Sequence, residues 1–432
     1  MKTVASHALG CKVNQYESEA IAELFQEKGY QVVDMEQAAD VYIINTCTVT
    51  NFGDKKSRQL IRKVKRQNPD SIVVVAGCYA QTAPQEIMAI EGVNIVVGTK
   101  NRTQIVNLVE NYQQKEPQNY VSNIMREREF EPLSIQKLKN RTRAYLKIQD
   151  GCSQYCSYCI IPYARGPIRS RNPEDVLAEV KCLAENGFQE VVLTGIHVAS
   201  YGKDFKNITL LEMIQQVHEV KGIQRIRFSS IEPNIVTEEF VKTLSNLEKV
   251  CDHFHLSLQS GCDKILQAMN RKYNTEKYHQ AVKLLRQFMP HVAITTDMIV
   301  GFPGETEEDF LTSYAFAKEM CFSKIHVFPY SPKRGTPAAS MSGQIENTIK
   351  SERSQKLMQL SETMAEEFLN KLIGKEMDVL YERQIQPNTY EGHTTNYVKV
   401  HVKNDQNLTN KIVKTTLTEK QGEIAKGVVT KL

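Results

Sequence analysis

The chain has 432 residues, 41% hydrophobic and 24% charged, an ordinary globular make-up too long for one compact core. Its 54 basic and 50 acidic residues leave a formal charge of +4, a surplus too small to identify a partner. No apolar run approaches the roughly 18 residues that span a bilayer, so no membrane association is expected.

Residues 1–110 alternate strand and helix. KTVASHAL reads as a first strand. Leu9-Gly10-Cys11 faintly resembles a lipoprotein cleavage site, but the preceding stretch, with Ser6 and His7, is too short and polar for a signal sequence. Asn14 is expected to cap the first helix, with Glu17 as the return half of a capping box and Gly29 ending it. VYIINT, SIVVVAG and VNIVVG are further core strands, and a basic helix at about 54–67 stops before Pro69. This rhythm predicts a parallel sheet with helices on its faces. Residues 111–137 are polar and aperiodic and read as a linker.

From 138 to 370 the rhythm restarts with six strand candidates: AYLKIQ, EVVLTGI, IQRIRFSSI, HFHLSLQ, AITTDMIVG and KIHVFPY. Helical patterns separate them, one capped by Asn172 with Pro173 in its first turn. Six βα units predict a partial barrel, since a complete one takes eight. A long polar helix at about 345–373 closes the unit. Residues 371–432 become short alternating strands, the pattern of a small antiparallel β-barrel.

The N-terminus reads as the first strand of a folded domain and the protein is expected to be cytoplasmic, a reducing compartment in which disulfides among its ten cysteines are unlikely. There, grouped cysteines suggest metal or catalysis. GCSQYCSYC places Cys152, Cys156 and Cys159 as Cys-x3-Cys-x2-Cys directly after a strand. A structural zinc site takes four ligands, and no further Cys or His lies close in sequence. Three thiolates on a four-iron cube leave one iron open for chemistry. Cys11, Cys47 and Cys78 are spread along the chain, but each falls at or just beyond the C-terminal end of a predicted strand. Ligands bind along that edge of a parallel sheet, so the three can meet as a second open set; one or two of them being ordinary core cysteines is the competing reading. Cys182, Cys251, Cys262 and Cys321 are expected to be packing residues. His253 and His255 share one strand face without a third ligand and are assigned no role.

Cys-x3-Cys-x2-Cys at the end of the first strand of a partial barrel resembles the radical S-adenosylmethionine (SAM) superfamily. TGIHVASYG, SSIEP, LQSG, TTDMIVGFPGET and FPYSPKRGTPA follow in order, and essentially the whole chain resembles the methylthiotransferase family. NTCTVTN at 45–51 is most similar to the branch acting on threonylcarbamoyladenosine at position 37 of tRNA. The resemblance implies an N-terminal methylthiotransferase domain, a radical SAM core, a C-terminal TRAM-like RNA-binding barrel, and two 4Fe–4S clusters on the two cysteine triads. It implies SAM contacts at Tyr158, Thr194, Gly195, Ser230, Glu232, Gly301, Gly304 and Glu305, although the superfamily's more typical Gly-Gly-Glu is absent at 194–195. The implied reaction replaces hydrogen at C2 of the adenosine with methylthio, using two SAM molecules. It names no side-chain acid or base. It requires a one-electron donor such as flavodoxin or ferredoxin, and a sulfur source. Alternatives are action on isopentenyladenosine in tRNA or on a ribosomal-protein aspartate, or a non-catalytic iron–sulfur RNA-binding protein.

KKSRQLIRKVKR at 55–66 carries seven basic residues in twelve, with Leu60, Ile61 and Val64 as a narrow apolar stripe. KLKNRTR at 137–143 is a second basic run. Both could neutralise phosphates of a tRNA anticodon loop. The competing reading is a solvated helix face and a charged linker.

Overall fold

The computed structural model describes residues 1–113, 116–135, 142–205 and 208–431. Its N-terminal sheet has six parallel strands in the order β2-β1-β3-β4-β5-β6. They are β1 Thr3–Ala8, β2 Gln31–Val32, β3 Val41–Thr46, β4 Ile72–Gly77, β5 Ile95–Val96 and β6 Gln118–Asn119. β3 is buried along its whole length, which fits its apolar run Val41-Tyr42-Ile43-Ile44, and its two buried polar residues are hydrogen-bonded, Asn45 to the Asn14 carbonyl and Thr46 to that of Ala76. The segment read as a linker is packed: Gln118–Asn119 pairs with β5, and Leu133 and Ile135 are buried against Tyr16 and Ala20. The basic run at 137–143 lies mostly outside the described residues.

The six strands expected of the partial barrel are all present: β7 Arg143–Asp150, β9 Glu190–Gly195, β10 Arg225–Phe228, β11 His253–His255, β12 Ala293–Val300 and β13 Lys324–Pro329. Parallel pairing runs β7-β9-β10, single bridges join β10 and its following loop to the β11 region, and β11-β12-β13 completes the arc. The short strand β8, Arg169–Ser170, pairs antiparallel on the outer edge of β7. One apolar cluster, from Leu146 of β7 and Leu193 of β9 to Phe254, Ile294 and Leu357, fills the space between strands and helices. The helix Asn347–Asn370 packs along β13 and leads into the last domain.

That domain is a closed barrel in the order β14-β15-β16-β18-β17, of which only β16 and β18 pair in parallel. Its strands are β14 Glu376–Gln386, β15 Thr389–Thr394, β16 Lys399–Lys403, β17 Lys411–Gln421 and β18 Ile424–Lys431. Arginines of β10 hold it. Arg225 donates to the carbonyls of Asp378 (2.7 Å) and His393 (3.0 Å), and Arg227 to that of Thr395 (2.9 Å).

The capping box expected at Asn14 and Glu17 does not form. Helix α1 begins earlier, at Lys12, with Cys11 as its cap, and continues to Glu27. Asn14 and Glu17 therefore sit inside the helix, buried and facing charge from elsewhere in the chain. Asn172 does cap its helix, accepting from the Glu174 N–H.

Candidate active site

Cys11, Cys47 and Cys78 stand at the C-terminal ends of β1, β3 and β4, three adjacent parallel strands. Neighbouring strands lie about 4.8 Å apart, so the fold gathers cysteines separated by more than thirty residues along one edge. Gly10 permits the approach: a Cβ there would lie 2.7 Å from Cys47 Sγ. Burial, reinforced by the neighbouring Cys78, pushes the Cys47 thiol up to about 12. Burial raises Cys78 too, opposed by Arg165, whose Nε–H donates to its sulfur at 3.3 Å.

Arg165 belongs to a buried charge lattice that no sequence motif announced. Its guanidinium reaches Glu17 (2.5 Å), Asn14 Oδ1 (2.5 Å) and Asp150 (3.3 Å). Arg102 bridges Glu17 (2.5 Å) and Glu131 (2.6 Å), and Lys147 bridges Glu17 (2.7 Å) and Asp150 (2.5 Å). Arg169 approaches Asp150 at 3.6 Å. Burial alone would raise the Glu17 carboxyl, but Arg102, Arg165 and Lys147 hold it well below the usual carboxylate range.

Cys152, Cys156 and Cys159 occupy the loop after β7. Gly151, at φ +71°, turns the chain where a Cβ would strike the Pro167 carbonyl. The loop is pinned by Cys152 N–H to the Gly166 carbonyl (3.0 Å), Ser157 N–H to that of Met269 (3.0 Å), and Ser157 Oγ to that of Ala268 (2.8 Å). Burial pushes the Cys152 thiol up to about 11 and the Cys159 thiol up to about 12. Arg271 Nη1 donates to Cys156 Sγ at 3.3 Å, so each triad has one sulfur bonded by an arginine. No three His, Cys, Asp or Glu side chains among the described residues converge as ligands of one metal ion. A cube takes each thiolate on a separate iron, so its ligands stand apart.

Cys11 of the first set and all three cysteines of the second face a cavity of about 1170 Å³ that runs through the partial barrel to the C-terminal domain. Cys11, Cys152, Cys156 and Cys159 line it, with Tyr158, Thr194, Gly195 and Glu232 around them and Ser230 at the third strand end. The Thr194 hydroxyl turns back to the Val192 carbonyl at 3.0 Å. Glu232 pairs with Arg271 (2.9 Å) and His197 (3.1 Å). Burial opposes its ionisation, but the His197 hydrogen bond and Arg271 hold its pKa below the ordinary value. Gly301, Gly304 and Glu305 are not brought to this cavity. Glu305 accepts from the Gly301 N–H (2.6 Å) and pairs with Arg353 (2.7 Å), tying the loop after β12 to the helix Asn347–Asn370. Cys262 is buried, its thiol 3.5 Å from Asp309. His253 and His255, assigned nothing from sequence, line the cavity.

The basic helix α2, Asn51–Gln67, follows Cys47 and is capped by Thr50. Ile61 and Val64 are buried, whereas Lys55, Lys56, Arg62, Lys63 and Arg66 are exposed. Arg58 and Lys65 are engaged within the domain, with Tyr79 Oη (2.8 Å) and the Ser71 carbonyl (2.9 Å). Asp54, in its first turn, pairs with Lys333 from the loop after β13.

Residues 146–317 match the radical SAM superfamily, and residues 3–98 match the uncharacterized protein family UPF0004. The chain is 47% identical over 420 residues to the threonylcarbamoyladenosine tRNA methylthiotransferase MtaB of Bacillus subtilis, covering 96% of this chain and 93% of that one. The MtaB of Aquifex aeolicus is 42% identical, over 87% and 92% of the two chains. A tRNA-2-methylthio-N(6)-dimethylallyladenosine synthase of Moorella thermoacetica is 37% identical, over 99% and 98%. Among solved structures, the radical SAM methyltransferase TsrM of Kitasatospora setae, bound to cobalamin and a [4Fe-4S] cluster, shares the fold. Its TM-score is 0.56 at 17% identity, over 78% of this chain and 77% of that one. Two strand-end cysteine triads, a partial barrel between flanking domains, and relatives along nearly the whole length agree: the chain belongs to the radical SAM methylthiotransferase family.

Proposed function

We propose that the protein methylthiolates C2 of N6-threonylcarbamoyladenosine at position 37 of tRNA, with Cys152, Cys156 and Cys159 holding one 4Fe–4S cluster and Cys11, Cys47 and Cys78 a second. The observation that carries this reading is the shared cavity, onto which Cys11 and the Cys152 set both open. The residues present suit such groups. Around Cys78, four buried cations, Arg102, Lys147, Arg165 and Arg169, stand against three carboxylates, Glu17, Glu131 and Asp150. A thiolate-bound cluster at Cys78 supplies the missing negative charge. At the other triad, Arg271 offers an N–H to Cys156 in the same way.

When bound, the clusters and two SAM molecules supply the methylated sulfur and the radical that exchange the C2 hydrogen for methylthio. The chain's own residues position and enclose. Tyr158, Thr194, Gly195, Ser230 and Glu232 border the space for SAM beside Cys152. Glu232, kept ionised, orients Arg271 toward Cys156 and retains lone pairs for hydroxyl or amino donors. Asn396, Tyr397 and Val398 of the C-terminal barrel line the far end of the cavity. Glu305, committed to Gly301 and Arg353, acts as a latch between elements. The reaction draws on a cytoplasmic one-electron donor such as flavodoxin or ferredoxin and on a sulfur source.

Nucleosides from tRNA of a strain lacking this gene, measured by mass spectrometry, test the reading. The methylthiolated threonylcarbamoyladenosine should vanish and its unmodified precursor accumulate. Loss of the methylthiolated dimethylallyl nucleoside instead, or an unchanged profile, would overturn it.

A further inference from the structure

The cavity wall nearest the C-terminal barrel carries positive charge that the protein does not balance. Lys12, in the first turn of α1, lines the cavity. Its ammonium lies 5.9 Å from the Tyr145 ring centroid, and among the described residues no carboxylate pairs with it. Its electrostatic neighbours are Tyr397, Arg143, Arg227 and Glu190. Those carboxylates that are near are committed elsewhere. Glu190 holds Arg227 at 2.9 Å and Arg225 at 3.7 Å, and Glu382 holds Arg143 at 2.9 Å and His393 at 2.5 Å. Asp252, near Arg227, hydrogen-bonds Thr395.

Tyr397 completes the wall. It sits at the tip of the β15–β16 hairpin with φ +67°, a left-handed conformation that costs a tyrosine energy. The surroundings hold it there: its ring stacks between His253 and His393, 4.9 Å from each centroid, and the Arg227 guanidinium lies 4.7 Å from the ring centre. Strain kept at a cavity wall, beside an unpaired cation, marks a place built for a ligand.

We propose that Lys12 and Tyr397 form a carboxylate-recognition subsite that takes the threonyl carboxylate of the substrate base and so selects it over the uncharged dimethylallyl base. This rests on the substrate class proposed above. The two modified adenosines carry their substituents on the same nitrogen, and only the threonylcarbamoyl group bears a carboxylate at neutral pH. A cation in a partly enclosed cavity gains an anion's charge and hydrogen bonds when that group enters, and is left desolvated without compensation when a neutral group does. The selection therefore works in both directions, by attraction and by penalty. A backbone phosphate could satisfy Lys12 equally well, but phosphates accompany every nucleotide and cannot distinguish the two bases.

The test uses anticodon stem-loops of one sequence whose base 37 is N6-threonylcarbamoyladenosine, its carboxyl methyl ester, or N6-dimethylallyladenosine. Dissociation constants are read by fluorescence anisotropy at fixed ionic strength, with kcat and KM for methylthiolation. Wild-type protein should bind the acid at least ~10-fold more tightly than the ester, a ratio that needs no variant. Lys12→Met should bring the ratio close to one by weakening only the acid, through KM rather than kcat. Lys12→Arg should keep most of the preference, and Tyr397→Phe should lower it in part. Equal weakening of all three RNAs by Lys12→Met would indicate a phosphate contact or a structural lesion and overturn the proposal, as would an unchanged ratio. Wild-type protein that acts on acid and ester alike overturns this inference alone. Wild-type protein inactive on the acid stem-loop overturns the substrate class and this inference with it.

Discussion

Arg165 donates hydrogen bonds to Cys78, Glu17 and Asn14 of the N-terminal domain and to Asp150 at the end of the first barrel strand. Replacing it with Met leaves Glu17 and Asp150 short of positive charge inside the protein. Removing one partner of such a group costs about 3–5 kcal/mol, readable as a lowered midpoint in urea. Adding Glu17→Gln should recover part of the loss, and a deficit below about 1 kcal/mol would show that the lattice contributes little. Glu17 also fixes a pH dependence. Its folded pKa is depressed, so its contribution is complete above the ordinary carboxylate range and declines as pH falls below about 4.3. Glu17→Gln should flatten that acid limb. The cysteines give a separate outcome. Anaerobically reconstituted protein should hold about eight irons per chain, and substituting either triad with Ala should leave about four, measured by iron assay. A wild-type count of about four would refute the two-cluster reading.

The strand-end placement of Cys11, Cys47 and Cys78 could be read from sequence because each follows an apolar run of strand length, and parallel sheets align such ends. Asn14 and Glu17 misled for a physical reason. Their spacing fits a capping box, but their partners, Arg102, Lys147 and Arg165, lie far along the chain, and no local pattern announces a buried ion lattice. Tyr397 was invisible likewise, since its importance arises only where three domains meet. Helix α2 was legible as a basic face, yet only the structure sorts its charges. Lys55, Lys56, Arg62 and Lys63 are exposed, whereas Arg58 and Lys65 bond within the domain. Substituting those four exposed residues with Ala should cost little stability, within about 0.5 kcal/mol each, while weakening tRNA binding. The slope of log affinity against log salt should flatten by about 0.7–0.9 for each phosphate no longer neutralised. An unchanged slope in a binding titration would return α2 to the role of a solvated face.

The C-terminal domain covers the end of the partial barrel where its strands begin, reached by Arg143 of β7, Gln189 just before β9, Arg225 of β10 and Lys324 of β13. The fastening uses arginines from β10 that donate to backbone carbonyls of β14 and the β15–β16 hairpin. Arg227→Leu removes the donors to Thr394 and Thr395 and leaves Glu190 without its nearest cation. The domain should then undock transiently, and limited proteolysis should cut between the helix Asn347–Asn370 and β14 faster than in wild type. Equal cleavage rates would mean that the remaining contacts, such as Arg143 with Glu382, suffice.

The charge lattice also bears on how the chain is made. Translation delivers Glu17 long before Lys147, Asp150 and Arg165, and the N-terminal sheet can assemble as soon as its own strands have left the ribosome. Until Lys147 and Arg165 emerge, Glu17 faces only Arg102 among its eventual cationic partners. The nascent N-terminal domain is thus an unfinished surface awaiting the barrel, and the residues that complete its interior arrive together with the Cys152 loop. Synthesis order alone delays closure around Cys78 until both cysteine sets exist, so a chain that stops short of Lys147 leaves Glu17 without two of the three cations that hold it in the finished protein.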